Sequence, residues 1–310
     1  MSSSPITSEH FEFNELVFTY QLHQKLMQLH FAPNQPEEPK LRPLEPTDVA
    51  ELSEVEMAGL MYWVEQQKGY SGLCPEEQGA LLQKYAVRKI SLDHFYSAAK
   101  HPERCAKREF VMNNYTFVPA DRTGFETVDD DEQQIRAKRE IHSRTFNRFW
   151  ANIIDPFVLL QITDAEIVFL HVMLLWSPSN SANVTPATSK FMESRRCWAK
   201  ENLERFYSIQ KVQSAEERLQ KMLEFVDELE IIADMHIEDF MAAKALEIKI
   251  EEPLECEELY YAPEKNSEDR NSDSENRDPN EMVKQRKENS DLKRAPLPDD
   301  ELIFADGTIL

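Results

Sequence analysis

Asp129-Asp130-Asp131-Glu132 is a run of four carboxylates in a chain of 310 residues. Oxygen donors packed on one helical turn suit a hard cation such as magnesium. The same acids also suit the first turn of a helix, whose dipole favours negative charge there. No second acidic helix supplies opposing ligands, and no glycine-rich loop is present to cradle a phosphate. The eight histidines show no His-Glu-x-x-His spacing, and no serine stands in a Gly-x-Ser-x-Gly elbow. Cys74, Cys105, Cys197 and Cys256 are too far apart for a Cys-x-x-Cys site and read as reduced thiols. The expectation is a protein that is not an enzyme, with no catalytic residue, no cofactor and no metal site.

The elements that would position such residues follow from composition and patterning. With 35 basic against 57 acidic side chains the formal charge is −22, which repels phosphates and argues against direct DNA binding. A 41% hydrophobic content supports a sizeable core, and only 6 glycines argue for helices over tight turns. The longest apolar run, residues 167–176, contains His171 and is about half what a bilayer span requires. No secretory leader pattern opens the chain, so no membrane association and no secretion are expected.

Three regions are expected: an N-terminal segment with a proline-rich link over residues 1–46, a helical domain over 47–261, and a disordered acidic tail over 262–310. Within the domain the starts of helices are legible. Pro75 with Glu76 and Glu77 suits a first turn, Thr163 with Glu166 and Ser214 with Glu217 fit capping boxes, and Thr185-Pro186 fits a cap followed by proline. The Ser214 helix carries Leu219, Met222, Val226, Leu229 and Ala233 at helical spacing, a seam that suits a core more than a dimer contact. Between residues 108 and 119, Phe110 and Met112 alternate, Asn113-Asn114 can turn, and Tyr115 and Phe117 alternate again, which predicts a small hairpin.

One helix ends in Trp63-Val64-Glu65-Gln66-Gln67-Lys68-Gly69-Tyr70-Ser71-Gly72-Leu73, and the next opens with Glu77-Gln78-Gly79-Ala80-Leu81-Leu82-Gln83-Lys84-Tyr85. This pair resembles the signature of nuclear hormone receptor ligand-binding domains, and residues 86–96 resemble the expanded nematode branch of that family. The Thr163 helix is similar to the family's later buried helix, and the Ser214 helix to its long dimerisation helix. The resemblance covers about residues 47–250 and is most specific over 63–96. It implies an all-α fold: a three-layer antiparallel helical sandwich of nuclear receptor ligand-binding type with one small β-hairpin.

By the same resemblance the ligand contacts fall on Leu52, Ser53, Glu56, Met57, Leu60, Ala86, Ile90 and His94, with Glu56 and His94 placed to orient a polar end. The implied partners are a small lipophilic ligand and another nuclear receptor or coregulator protein. The implied role is transcription regulation through ligand sensing or receptor dimerisation, in the nucleus and also the cytoplasm. The rival reading is a ligand-independent interaction module whose pocket is filled, and a remote one is an all-α isoprenoid-type enzyme using the Asp129 run. Departures from the family pattern bear on partners. The residues before the domain offer no zinc ligands for a DNA-binding module, so none is expected. The coactivator clamp lysine is replaced by Glu65 and its basic companion by Gln83, with Lys68 and Lys84 shifted nearby. For the activation helix, residues 254–261 and 301–304 are the candidates, and Lys284-Gln285-Arg286-Lys287 is a candidate import run.

Overall fold

Few glycines and well-marked caps give long helices. The computed structural model describes residues 6–32 and 39–249. Helix α1 (Ile6–Phe31) precedes a two-residue strand β1 (Arg42–Pro43) and helix α2 (Asp48–Glu65). Helix α3 (Pro75–Ala99) begins on a proline whose missing N–H is no loss in a first turn. A short α4 (Pro102–Cys105) leads to strands β2 (Phe110–Val111) and β3 (Thr116–Val118). Helix α5 (Glu132–Phe149) passes through a π-helical turn (Trp150–Ile154) into α6 (Asp155–Leu160). The chain continues with α7 (Asp164–Leu175), α8 (Pro186–Gln210) and α9 (Ala215–Ala245).

Sequence decides which helices lie inside. In α7, every residue from position 165 to 172 is buried, and α3 buries side chains on several faces, so both must be covered from two sides. Helices α3, α7 and α8 form the middle layer, with α1 and α2 on one side and α5 and α9 on the other. This is the expected three-layer all-α sandwich. The seam of α9 faces inward: Leu219, Met222, Val226, Leu229 and Ala233 are all buried in it.

Helix α1 packs on the helices that follow residue 47. Its Phe13, Leu16 and Tyr20 belong to the same core as Leu60, Trp63 and Leu92. Glu12 accepts from Arg195 on α8 at 2.7 Å and lies 3.2 Å from Lys68. The helix also comes close to α2, where a Cβ on Gly59 would stand 2.2 Å from His23 Nε2. Phe11, Phe18 and Leu22 lie exposed on the other face, so the apolar pattern runs round the helix and does not say which side docks.

The expected hairpin is present, with Phe110 opposite Val118 and Val111 opposite Phe117. Its turn uses Asn114, whose Oδ1 accepts from the amide and hydroxyl of Thr116, and Tyr115 takes the left-handed conformation with φ 60°. A third strand was not expected. The proline-rich link supplies β1, which pairs in parallel with β3 at the sheet edge, where Pro43 needs no ladder donor. Arg42 then holds Asp48 at the start of α2 through two hydrogen bonds of 2.7 and 2.6 Å.

Two caps form as read, the Thr163–Glu166 box and Thr185 accepting from the Thr188 amide, and α3 carries its acids in the first turn without a side-chain cap at Cys74. Ser214 does not cap. It lies at φ 50°, ψ 42°, and its side chain makes no cap bond, because the short α8–α9 connection turns on left-handed residues at Lys211 and Ser214. An N-cap hydroxyl reaches the third amide only from an extended backbone. The acidic run also resolves into local structure, since Asp131 caps α5 in a box with Gln134 and Asp130 pairs with buried Lys138 and Thr127. The acidic tail, the two activation-helix candidates and the import run lie outside the described residues.

Candidate functional site

A cavity of about 470 Å³ lies between α2, α3, the hairpin, the π-helical turn, α5 and α9. Its walls follow from the layering, because α2 and α5 belong to opposite outer layers and the middle layer is open at this end. Helix α2 contributes Leu52, Ser53, Glu56 and Met57, and α3 contributes Ile90 and His94. Phe110 and Val118 close it from the sheet, and Phe146 and Phe240 from α5 and α9. Its size and apolar lining suit a small lipophilic molecule.

Six of the eight sequence-derived positions therefore border the cavity; Leu60 and Ala86 do not. Leu60 is fully buried one helical turn beyond Glu56, packed in the core shared with α1, and Ala86 lies in the same core. Matching along a helix identifies the face, and the depth at which the cavity stops depends on the neighbouring layer.

The polar end is built around Glu56. Its Oε1 lies 2.6 Å from His94 Nε2 and accepts from Asn113 Nδ2 at 2.8 Å. Burial alone would lower the His94 pKa, but the adjoining Glu56 carboxylate outweighs it and holds the imidazole above its usual value. A histidine–carboxylate pair thus stands at the cavity wall, and Asn113 of the hairpin turn donates to the same carboxylate. Reading of the sequence did not find Asn113, since a turn residue gives no sign of the helix it will touch.

A second polar group, between α5 and α9, was also not legible. His142 on α5 is fully buried against Phe125 and Phe146, and neither ring nitrogen has a hydrogen-bond partner. Its Nδ1 lies 3.3 Å from Asp239 Oδ2 without the alignment of a hydrogen bond. His236, one turn before Asp239 on α9, borders the cavity, and burial together with His142 pushes its pKa down to about 4. Arg122 and Arg139 border the same cavity.

The two displaced clamp lysines are engaged within the chain. Lys68 pairs with Glu12, and Lys84 Nζ donates to the Ser179 carbonyl at 3.2 Å. Glu65 stands exposed at the end of α2. Among the described residues, no helix is long and apolar enough to cross a membrane.

Comparison with known proteins agrees with this architecture. Residues 34–246 match the family described as the ligand-binding domain of nuclear hormone receptor. The chain is 51% identical over 271 residues to nuclear hormone receptor family member nhr-71 of Caenorhabditis elegans, an alignment covering 84% of this chain and 47% of that protein. The chain thus spans about half the length of that relative.

Proposed function

On the premise that this chain belongs to the nuclear hormone receptor ligand-binding domain family, a family of ligand-regulated transcription factors and not of enzymes, we propose that it senses a lipophilic ligand in the cavity. The single observation that supports this is the apolar cavity itself, ending on the Glu56–His94–Asn113 cluster. A hydrocarbon or ring body would lie against Met57, Ile90 and Phe146, and a hydroxyl or carbonyl would reach the polar cluster. Family membership places its work mainly in the nucleus, in transcription regulation.

Native mass spectrometry of the protein purified from a eukaryotic host tests this. A retained molecule should appear as added mass that organic solvent removes. Filling the wall with Ser53→Trp should abolish the added mass while leaving the unfolding midpoint within a few degrees. Protein that carries no added mass from any lipid-rich source, and binds none on incubation with mixed lipids, would favour an interaction module with a closed pocket.

The partner reading centres on α9. Its seam is taken up by the core, and Glu228 and Glu230 pair within the chain with Arg148 and Arg88. Glu224 and Asp227 remain exposed. Two copies meeting across this side would oppose like charges, so a receptor with a basic surface is the proposed partner. Sedimentation should show monomer at micromolar concentration and a mixed dimer with such a receptor. A homodimer burying Glu224 and Asp227 against their symmetry copies would refute the assignment.

A further inference from the structure

We propose that His142, His236 and Asp239 form a zinc site between α5 and α9, beside the cavity that His236 borders. The first reason is an unmet need. His142 is fully buried and both its ring nitrogens lack hydrogen-bond partners. A buried imidazole in that state loses hydration without replacement, which native structures seldom leave uncompensated. His236 Nδ1 is likewise without a hydrogen-bond partner.

The second reason is geometry. One donor atom from each of the three residues lies within 4.8 Å of the other two. Zinc bonds of roughly 2.0–2.2 Å to nitrogen and oxygen place neighbouring ligand atoms of a tetrahedron about 3.3–3.5 Å apart. The 3.3 Å between His142 Nδ1 and Asp239 Oδ2 already has that length. Zinc binding requires the part-exposed His236 ring, which has the cavity beside it, to turn until the wider gaps close.

The surroundings fit as well. Thr145 Oγ1 donates to Asp239 Oδ2 at 2.6 Å and so orients the carboxylate, as outer partners of metal ligands do. Phe125, Phe146 and Phe240 pack around the His142 ring and keep the site dry. Two imidazoles and one carboxylate suit zinc far better than magnesium or calcium, and zinc stands above ferrous iron in the affinity order of divalent metals. Three protein ligands leave a fourth position for water or another ligand.

The test uses the full chain, stripped with a chelator, dialysed, and titrated with zinc alone against a chromophoric competitor. One equivalent should bind, and His236→Gln and Asp239→Asn should each weaken it on the order of 100-fold, since even outer-shell changes cost roughly 10–100-fold. Both variants should keep the unfolding midpoint of the metal-free protein, because both retain polar side chains at part-exposed positions. Cobalt(II) should give the intense visible bands of a tetrahedral site in the wild type and lose them in the variants. Absence of a stoichiometric equivalent would overturn the proposal, as would an equivalent whose affinity neither variant changes. Ligand retention in the cavity is read separately by mass, so failure of one result does not imply failure of the other.

Discussion

Asp93→Ala is expected to destabilise the protein by about 3–5 kcal/mol, the range for removing one partner of a buried ion pair. Asp93, Lys89 and His171 are each buried at 3% exposure or less, where α1, α3 and α7 meet. Lys89 Nζ lies 2.8 Å from one carboxylate oxygen, and His171 Nε2 (3.0 Å) and Tyr20 OH (2.9 Å) meet the other. The network has one consistent set of protons. Trp63 Nε1 donates to Tyr85 OH, Tyr85 donates to His171 Nδ1, and His171 donates from Nε2 to Asp93. Removing the carboxylate leaves the Lys89 ammonium in the core without a counter-charge. Urea unfolding should show the loss, and the double variant Lys89→Met with Asp93→Leu should regain most of it, because replacing a whole buried pair by apolar groups is often neutral. A single variant within about 1 kcal/mol of wild type would mean that water reaches the site.

The same network gives the pH dependence a sign. Burial alone would raise Asp93, but Lys89 and His171 outweigh it and hold the carboxyl far below its usual range. Its contribution is therefore complete above the unfolded value near 3.9 and is lost as pH falls through the folded value. His171 is lowered by burial, and His23 is lowered to about 4 by burial and by Lys89. A folded imidazole that resists protonation makes the unfolded chain bind more protons, so stability also falls as pH drops below about 6.5. The urea midpoint should decline from pH 7.5 to 5.5, and His23→Gln should flatten that decline.

Legibility in the sequence tracked how local each cause was. The Thr163–Glu166 box and Pro75 are short-range devices, and each forms where it was read. Ser214 has the same letters, yet the reversal between α8 and α9 imposes a left-handed backbone there that the letters do not reveal. The sequence around helix α1 does not show what the helix packs against, because a proline-rich link follows it and its exposed Phe11, Phe18 and Leu22 stand beside its buried Phe13, Leu16 and Tyr20. The helix docks mainly on α7 and α8, and against α2 the small Gly59 makes room for His23, a complementarity visible only across 36 positions. The α2 and α3 part of the cavity wall was accessible through the family match. The rest of its wall, with Phe110, Val118, Phe146 and His236, comes from a hairpin and two helices far apart in sequence, and no spacing joins these to α2 and α3.

The second large effect is expected at Glu166, the only acid at zero exposure among the described residues. Its carboxylate takes Arg218 from α9 through both oxygens, Tyr207 OH from α8 at 2.6 Å, and the Thr163 amide and hydroxyl at 2.9 Å each. One side chain therefore caps α7 and ties it to the two following helices. Burial would raise its pKa, and the Arg218 and Tyr207 hydrogen bonds hold it below the usual value instead. Glu166→Ala strands a part-buried guanidinium and a phenol and removes half a capping box, so a loss of about 3–5 kcal/mol is expected. Glu166→Gln should lose about half as much, because the amide can keep one bond to Arg218 and accept from Thr163 while the charge assistance disappears. The ordering carries the argument more than either value. If the network acts mainly through charge, Gln and Ala will unfold at similar urea concentrations. If it acts mainly by satisfying donors on three helices, Gln will stand well above Ala. The geometry supports the second outcome, since an amide oxygen in the place of Oε2 still receives both Thr163 donors, and the amide nitrogen in the place of Oε1 can donate to the Tyr207 oxygen.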